Sequence, residues 1–257
     1  MKAFSRVKYH KLFKLFMLFY YSMVYWLDFV YSPPWFYGKD IAIDILSAVV
    51  VLLIGLFSFR NFSLERKNKR HFFLGAAFVM LGLSFIVKIL TNILTRDTSW
   101  LGRQFWMSIF GREIVRSYTL IPAIGFFLFA LLTLFGFYLI YALSSKDELS
   151  MNYVIIAYFI LVSTYFTRFT YFVVYLTAFI FLLAISRRYF LQYKKNNYKN
   201  TLFLCISFGI ITISQFVFIF TSSNPALYVL AELMQFIGYL FLLYTFVMVL
   251  RNAKKTK

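Results

Sequence analysis

The chain has 257 residues, of which 62% are hydrophobic and 23% aromatic, with a mean hydropathy of +0.76 and a formal net charge of +18. A soluble domain of this length cannot hide so much apolar surface, since much of its exterior must face water. The single cysteine, Cys205, excludes a disulfide framework and a cysteine-rich metal site. It reads as a small core residue.

The charge does not point to nucleic acid. Lysines and arginines occur in clusters between apolar runs, the pattern of membrane topology and of anionic lipid head groups at one face. The excess of Phe, Tyr, Ile, Lys and Asn also follows from AT-rich codons, so the aromatic content does not by itself imply a lined pocket. No Gly/Ser/Pro-rich linker divides the chain, which reads as a single transmembrane domain over 1–257.

In chain order, Lys2, Arg6, Lys8, Lys11 and Lys14 precede the apolar run Leu15–Phe29, and Ser32-Pro33-Pro34 breaks it. No small-residue cleavage site follows, so a removed signal peptide is not expected. Residues 1–40 therefore hold a first span, with an interfacial helix as the alternative. A bilayer core takes about 20 apolar residues per helix. Ile41–Phe59, Phe72–Leu94, Tyr118–Leu143, Thr201–Phe220 and Ala226–Leu250 satisfy that directly.

The stretch Met151–Ser186 is too long for one span: as a single helix it would measure about 54 Å. Broken at Thr167, Arg168 and Thr170 it becomes a hairpin, 151–167 and 169–186. Only that reading leaves Arg187, Arg188, Lys194, Lys195 and Lys199 on the same side as the other basic clusters. The expected fold is thus an all-α polytopic transmembrane bundle of seven or eight spans. Eight are favoured, with both termini cytoplasmic and residues 41–250 forming a seven-helix bundle.

With eight spans, 20 of the 27 Lys and Arg fall on inner segments and six on outer ones, Lys88 lying inside a helix. Leaving the first segment uncrossed reduces the contrast to fifteen against eleven, so the positive-inside rule favours the crossing. Trp26, Trp35, Trp100 and Trp106 all fall at or near the outer side, and Pro33, Pro34 and Pro225 in outer turns. Pro122 falls in the first turns of its helix, where a missing N–H costs least. The outer connection 95–117 carries Leu101, Phe105, Ile109 and Phe110 at helical spacing, with Arg103, Gln104, Ser108 and Arg112 between them. It reads as an amphipathic helix on the outer surface, either a cap or a lid.

Ionisable residues inside a span are costly and are usually paired or functional. Here they are Asp44, Lys88, Glu232 and, at the hairpin tip, Arg168, all at matching depth in the outer half. Asn92 follows Lys88 by four residues and Gln235 follows Glu232 by three, extending the polar layer along two helix faces. Gln215 and Ser214 lie nearer the middle of their helix. Two readings stand: a buried ion-pair network that fixes helix register, or an outward-facing site where Lys88 and Arg168 hold an anionic or zwitterionic group. Asp40, one turn before Asp44, reads as part of a solvated acidic helix start favoured by the helix dipole.

Several chemistries are not expected. The two histidines, His10 and His71, lie in basic inner segments, leaving no metal cluster and no base for a Ser/His mechanism. No phosphate-binding glycine motif occurs, the last span lacks a Schiff-base lysine, and there is no internal repeat of 20–50 residues. No catalytic residue, cofactor or metal is therefore assigned.

The segments Asp44…Phe59-Arg60, Arg70-His71-Phe72-Phe73…Ala77-Phe78…Leu83-Ser84-Phe85 and Ala231-Glu232-Leu233-Met234-Gln235-Phe236-Ile237-Gly238-Tyr239 are short and mostly apolar. Through them the spans from Asp40 onward resemble a loosely defined group of uncharacterised prokaryotic, especially archaeal, seven-helix integral membrane proteins. The resemblance implies a sensory role, since similar domains are joined to signalling modules. With seven residues after the last span, no output domain is expected here. The function expected is a sensor-like or accessory protein of the cell membrane that acts through a separate membrane or cytoplasmic protein. The alternatives are a small-solute or lipid transporter and a lipid or envelope enzyme acting at the outer face.

Overall fold

The computed structural model describes residues 32–64, 69–96, 120–144, 171–221 and 223–255. Among these every regular element is helical: a short 3-10 turn, Pro34–Phe36, then α1 (Lys39–Leu64), α2 (Lys69–Arg96), α3 (Leu120–Ser144), α4 (Tyr171–Asn196), α5 (Lys199–Ile219) and α6 (Pro225–Lys255). All six helices are long and apolar enough to cross a membrane. The first apolar run, the amphipathic helix expected within 95–117 and the hairpin's first arm, 151–167, lie outside the described residues, as does Arg168.

Local chemistry sets the boundaries. Pro34 opens the 3-10 turn, and Gly38, at φ +82°, supplies the left-handed residue through which the chain swings into α1. Asn197, at φ 53°, ends α4, and its N–H donates to Tyr193 O at 2.7 Å. Asn is one of the few residues other than glycine that adopts this conformation readily. Before α6, the Asn224 side chain accepts from the Ala226 N–H at 2.9 Å, and Pro225 takes the first helical position, where its missing N–H is not needed. α4 runs past the expected end of its span through Arg187, Arg188, Lys194 and Lys195. These residues are good helix formers, and a cation in the last turn is favoured by the dipole.

The helices pack as a ring in chain order, α1 beside α2, α2 beside α3, and so on to α6, which closes on α1. Contacts are more extensive within α1–α3 and within α4–α6 than between these halves. Inside the ring, α2 and α6 meet through Phe85 against Tyr239 and Phe78 against Phe246, with ring centroids 5.6 and 5.7 Å apart. Small residues allow close approach: a methyl built on Gly136 of α3 would stand 2.7 Å from Leu81 Cγ and 3.1 Å from the Ala77 carbonyl oxygen, both on α2.

Apolar side chains cover the outside of the bundle as well as filling its core, and several hydroxyls are buried. Leu46, Leu56, Ile180, Leu183 and Ile213 are exposed, while Ser58, Ser84, Thr212, Ser214 and Thr245 are buried. Each of these hydroxyls donates to a carbonyl three or four residues earlier in its own helix. That satisfies a buried polar group without water.

One directional fact matters for topology. Near the end of α3, the Tyr141 hydroxyl accepts from Arg188 near the end of α4 at 3.3 Å, and Phe181 of α4 packs on the Tyr141 ring. Near the start of α3, Phe126 packs against the cluster of Tyr175, Phe218, Tyr228 and Ala231. α3 and α4 therefore run in the same direction, and Ser144 and Tyr171 stand at opposite ends of the bundle.

Candidate functional site: a buried charge triad

α1 turns Asp40, Asp44, Ser47, Val51, Ile54 and Ser58 inward, a stripe stepping by three and four residues. α2 contributes Ala77, Phe78, Leu81, Ser84 and Phe85, with Lys88 next on the same face; α6 contributes Tyr228, Ala231, Glu232, Gln235, Tyr239 and Leu242. Each stripe carries its ionisable residues toward one end only. The three helices therefore bring their ionisable residues to one level.

There Lys88 Nζ donates to Asp44 Oδ1 at 2.9 Å and to Glu232 Oε1. The side chains are nearly or wholly enclosed, Asp44 at 0%, Glu232 at 2% and Lys88 at 15% exposure. The Tyr228 ring lies 5.7 Å from the ammonium, within cation–π range. Tyr228 in turn meets Phe218 edge-on, and Phe218 stacks on Tyr175 with centroids 4.8 Å apart. These rings wall the triad on its α4–α5 side and keep the surroundings apolar, where an ion pair is held more strongly than in water.

Of the residues expected to form a polar layer, the structure thus brings Asp44, Lys88 and Glu232 into contact. Gln235 lies on the same face of α6, but its amide donates to the Tyr239 hydroxyl at 3.3 Å rather than to the triad. Asn92 sits one turn further along α2 and is half-buried. Arg168 lies outside the described residues.

Asp40 differs from expectation. It is fully buried rather than solvated, and Ser32 and Phe36 just before the helix are buried too, so this side of the start of α1 is enclosed while Tyr37 and Lys39 are exposed. The aromatic wall was not read from the sequence. Its signal was present in α6, where Tyr228 precedes Glu232 by four residues and Tyr239 follows by seven. Tyr175 and Phe218 reach the site only through tertiary packing.

The charge count is uneven. Two carboxylates face one ammonium, and Asp44 Oδ2 has no hydrogen-bond partner among the described residues. Among these residues no three His, Cys, Asp or Glu side chains are grouped so as to hold a metal ion. At the opposite end the contacts are cationic: Arg70 Nη2 donates to Leu143 O at 2.8 Å, and the Arg188 guanidinium lies 4.6 Å from the Tyr141 ring centre. A cation at the last carbonyls of α3 is favoured by that helix's dipole. No protein-family model matches the chain, and comparison with curated proteins and with solved structures gave no match.

Proposed function

We propose that the protein is a multi-pass component of the cell membrane, sensor-like or accessory, which acts through a separate protein partner at its cytoplasmic face. In this reading it crosses the bilayer eight times with both termini inside. Six apolar helices support a membrane location. The shared direction of α3 and α4 supports one further crossing between Ser144 and Tyr171, and the apolar run Leu15–Phe29 supplies the eighth. Arg70, Arg187, Arg188, Lys194, Lys195 and Lys199 gather at the end away from the triad, which suits an inner face in contact with anionic lipid head groups.

The observation that carries the sensory reading is the sharing of one ammonium between two carboxylates on different helices. Lys88 holds Asp44 on α1 and Glu232 on α6 at once, so releasing either carboxylate uncouples two helices, which is the kind of two-state element a switch requires. α6 runs unbroken from the triad to Lys255, so a shift of Glu232 is carried along one helix toward the basic face. The test is site-specific photo-crosslinking from Arg251 in native cells, in wild type and in Lys88→Met. The expected outcome is a discrete partner adduct whose yield changes with the substitution. A triad variant that folds and leaves the adduct pattern unaltered, or a wild type without a discrete adduct, sinks the reading.

A second reading, transport of a small solute, is favoured by the surplus carboxylate in the membrane interior. Flux in proteoliposomes that is lost in Glu232→Gln would establish it in place of the first.

A further inference from the structure

We infer that the Asp44–Lys88–Glu232 triad is a binding site for one proton, held on a carboxylate oxygen that Lys88 does not reach. The inference concerns the triad alone and holds whether the output is a partner or a flux.

Charge and enclosure carry the argument. With both acids ionised the triad has two negative charges and one positive, and all three side chains are nearly or wholly removed from water. An unmatched charge in such surroundings is far costlier than a neutral polar group, even after relaxation. Independently of that count, Asp44 Oδ2 is buried and without a hydrogen-bond partner among the described residues, while Oδ1 of the same group is held by Lys88. A proton arriving as hydronium adds to Oδ2, water leaves, and the triad becomes neutral. Lys88 keeps both of its contacts, one to a carboxylate and one to a carboxyl oxygen.

Among the described residues, the other titratable groups near this point do not supply the missing positive charge. Asp40, one turn away on α1, adds negative charge. α6 presents the phenol rings of Tyr228 and Tyr239 and α4 that of Tyr175, none of them a cation, and α5 and α3 present Phe218 and Phe126. No three His, Cys, Asp or Glu side chains are grouped for a metal ion among the described residues, and a bound cation is separated from a proton by the sodium arm of the test below.

The test is infrared spectroscopy of the whole purified protein in lipid, following the carbonyl stretch of a protonated carboxyl in H2O and D2O. Wild type is expected to show such a band, shifted in D2O. Asp44→Asn and Glu232→Gln, each made in an Asp40→Asn background that itself keeps the band, are expected to lose it, because either change leaves the triad one carboxylate for one ammonium. The double requirement separates this from an isolated acidic residue, for which only one substitution would remove the band. Should one variant fail to fold, the other carries the same expectation. A wild type with no exchangeable carboxyl band overturns the proposal. A band that both variants retain, or one that added sodium removes at constant pH and ionic strength, overturns it equally.

Discussion

Removing the ammonium from the triad is the most informative perturbation of this fold. Lys88→Met keeps an unbranched apolar stem, one atom shorter, but leaves Asp44 and Glu232 facing one another in an enclosed site. Breaking a buried ion pair from one side costs about 3–5 kcal/mol, chiefly because the remaining charge is uncompensated. In a chain of this length that corresponds to a fall in Tm of roughly 6–20 °C, at about 2–4 °C per kcal/mol. Replacing all three members, Lys88→Met with Asp44→Asn and Glu232→Gln, removes the charge altogether and is expected to recover most of the loss, since neutral groups of similar shape are tolerated. The assay is thermal unfolding of the protein in a mild detergent, with the double mutants completing the cycle. A Lys88→Met protein as stable as wild type would refute the reasoning. So would a triple mutant no better than the single one, because the deficit would then reside in packing and not in charge.

Other expectations concern the frame that holds the triad. Gly136→Val should push α3 from α2 against Leu81 and the Ala77 carbonyl and cost about 1–3 kcal/mol by the same unfolding assay, with Gly136→Ala costing less. Asn197→Gly should be neutral or nearly so, and Asn197→Val should destabilise by about 1–2 kcal/mol, because a β-branched residue resists φ 53°. In a Cys205→Ser background, Trp35→Cys should react with an impermeant thiol reagent from outside intact cells and Lys195→Cys only after permeabilisation. The reverse pattern would invert the orientation proposed for the bundle.

The helices were legible from the sequence because a bilayer imposes length and apolarity on each segment separately, with no reference to its neighbours. Five of the six described helices contain runs that announce themselves in this way; α4 emerged only when Met151–Ser186 was divided. Helix ends were less legible. Arg187 to Lys195 read as a polar inner segment, yet the helix continues through them, since nothing in a charged run of good helix formers forces an end until Asn197.

The site divides along the same line between local and tertiary information. Depth follows from a residue's distance to its own helix terminus, so Asp44, Lys88 and Glu232 could be placed at one level before any packing was known. Whether they touch depends on which faces meet, and that is fixed by contacts such as Phe85 with Tyr239 and Phe78 with Phe246, which join α2 to α6 across the ring. Equal depth alone was also compatible with Gln235 joining the triad; instead its amide bonds to Tyr239 on its own helix. Asp40 shows the limit most clearly. An acid in the first turn of a helix is favoured by the dipole whether water covers it or protein does, so the sequence rule predicts its presence and says nothing of its burial. Its enclosure places a third carboxylate one turn from an already electronegative site, and that is why the charge of the triad, more than its geometry, is the property on which its function should be sought.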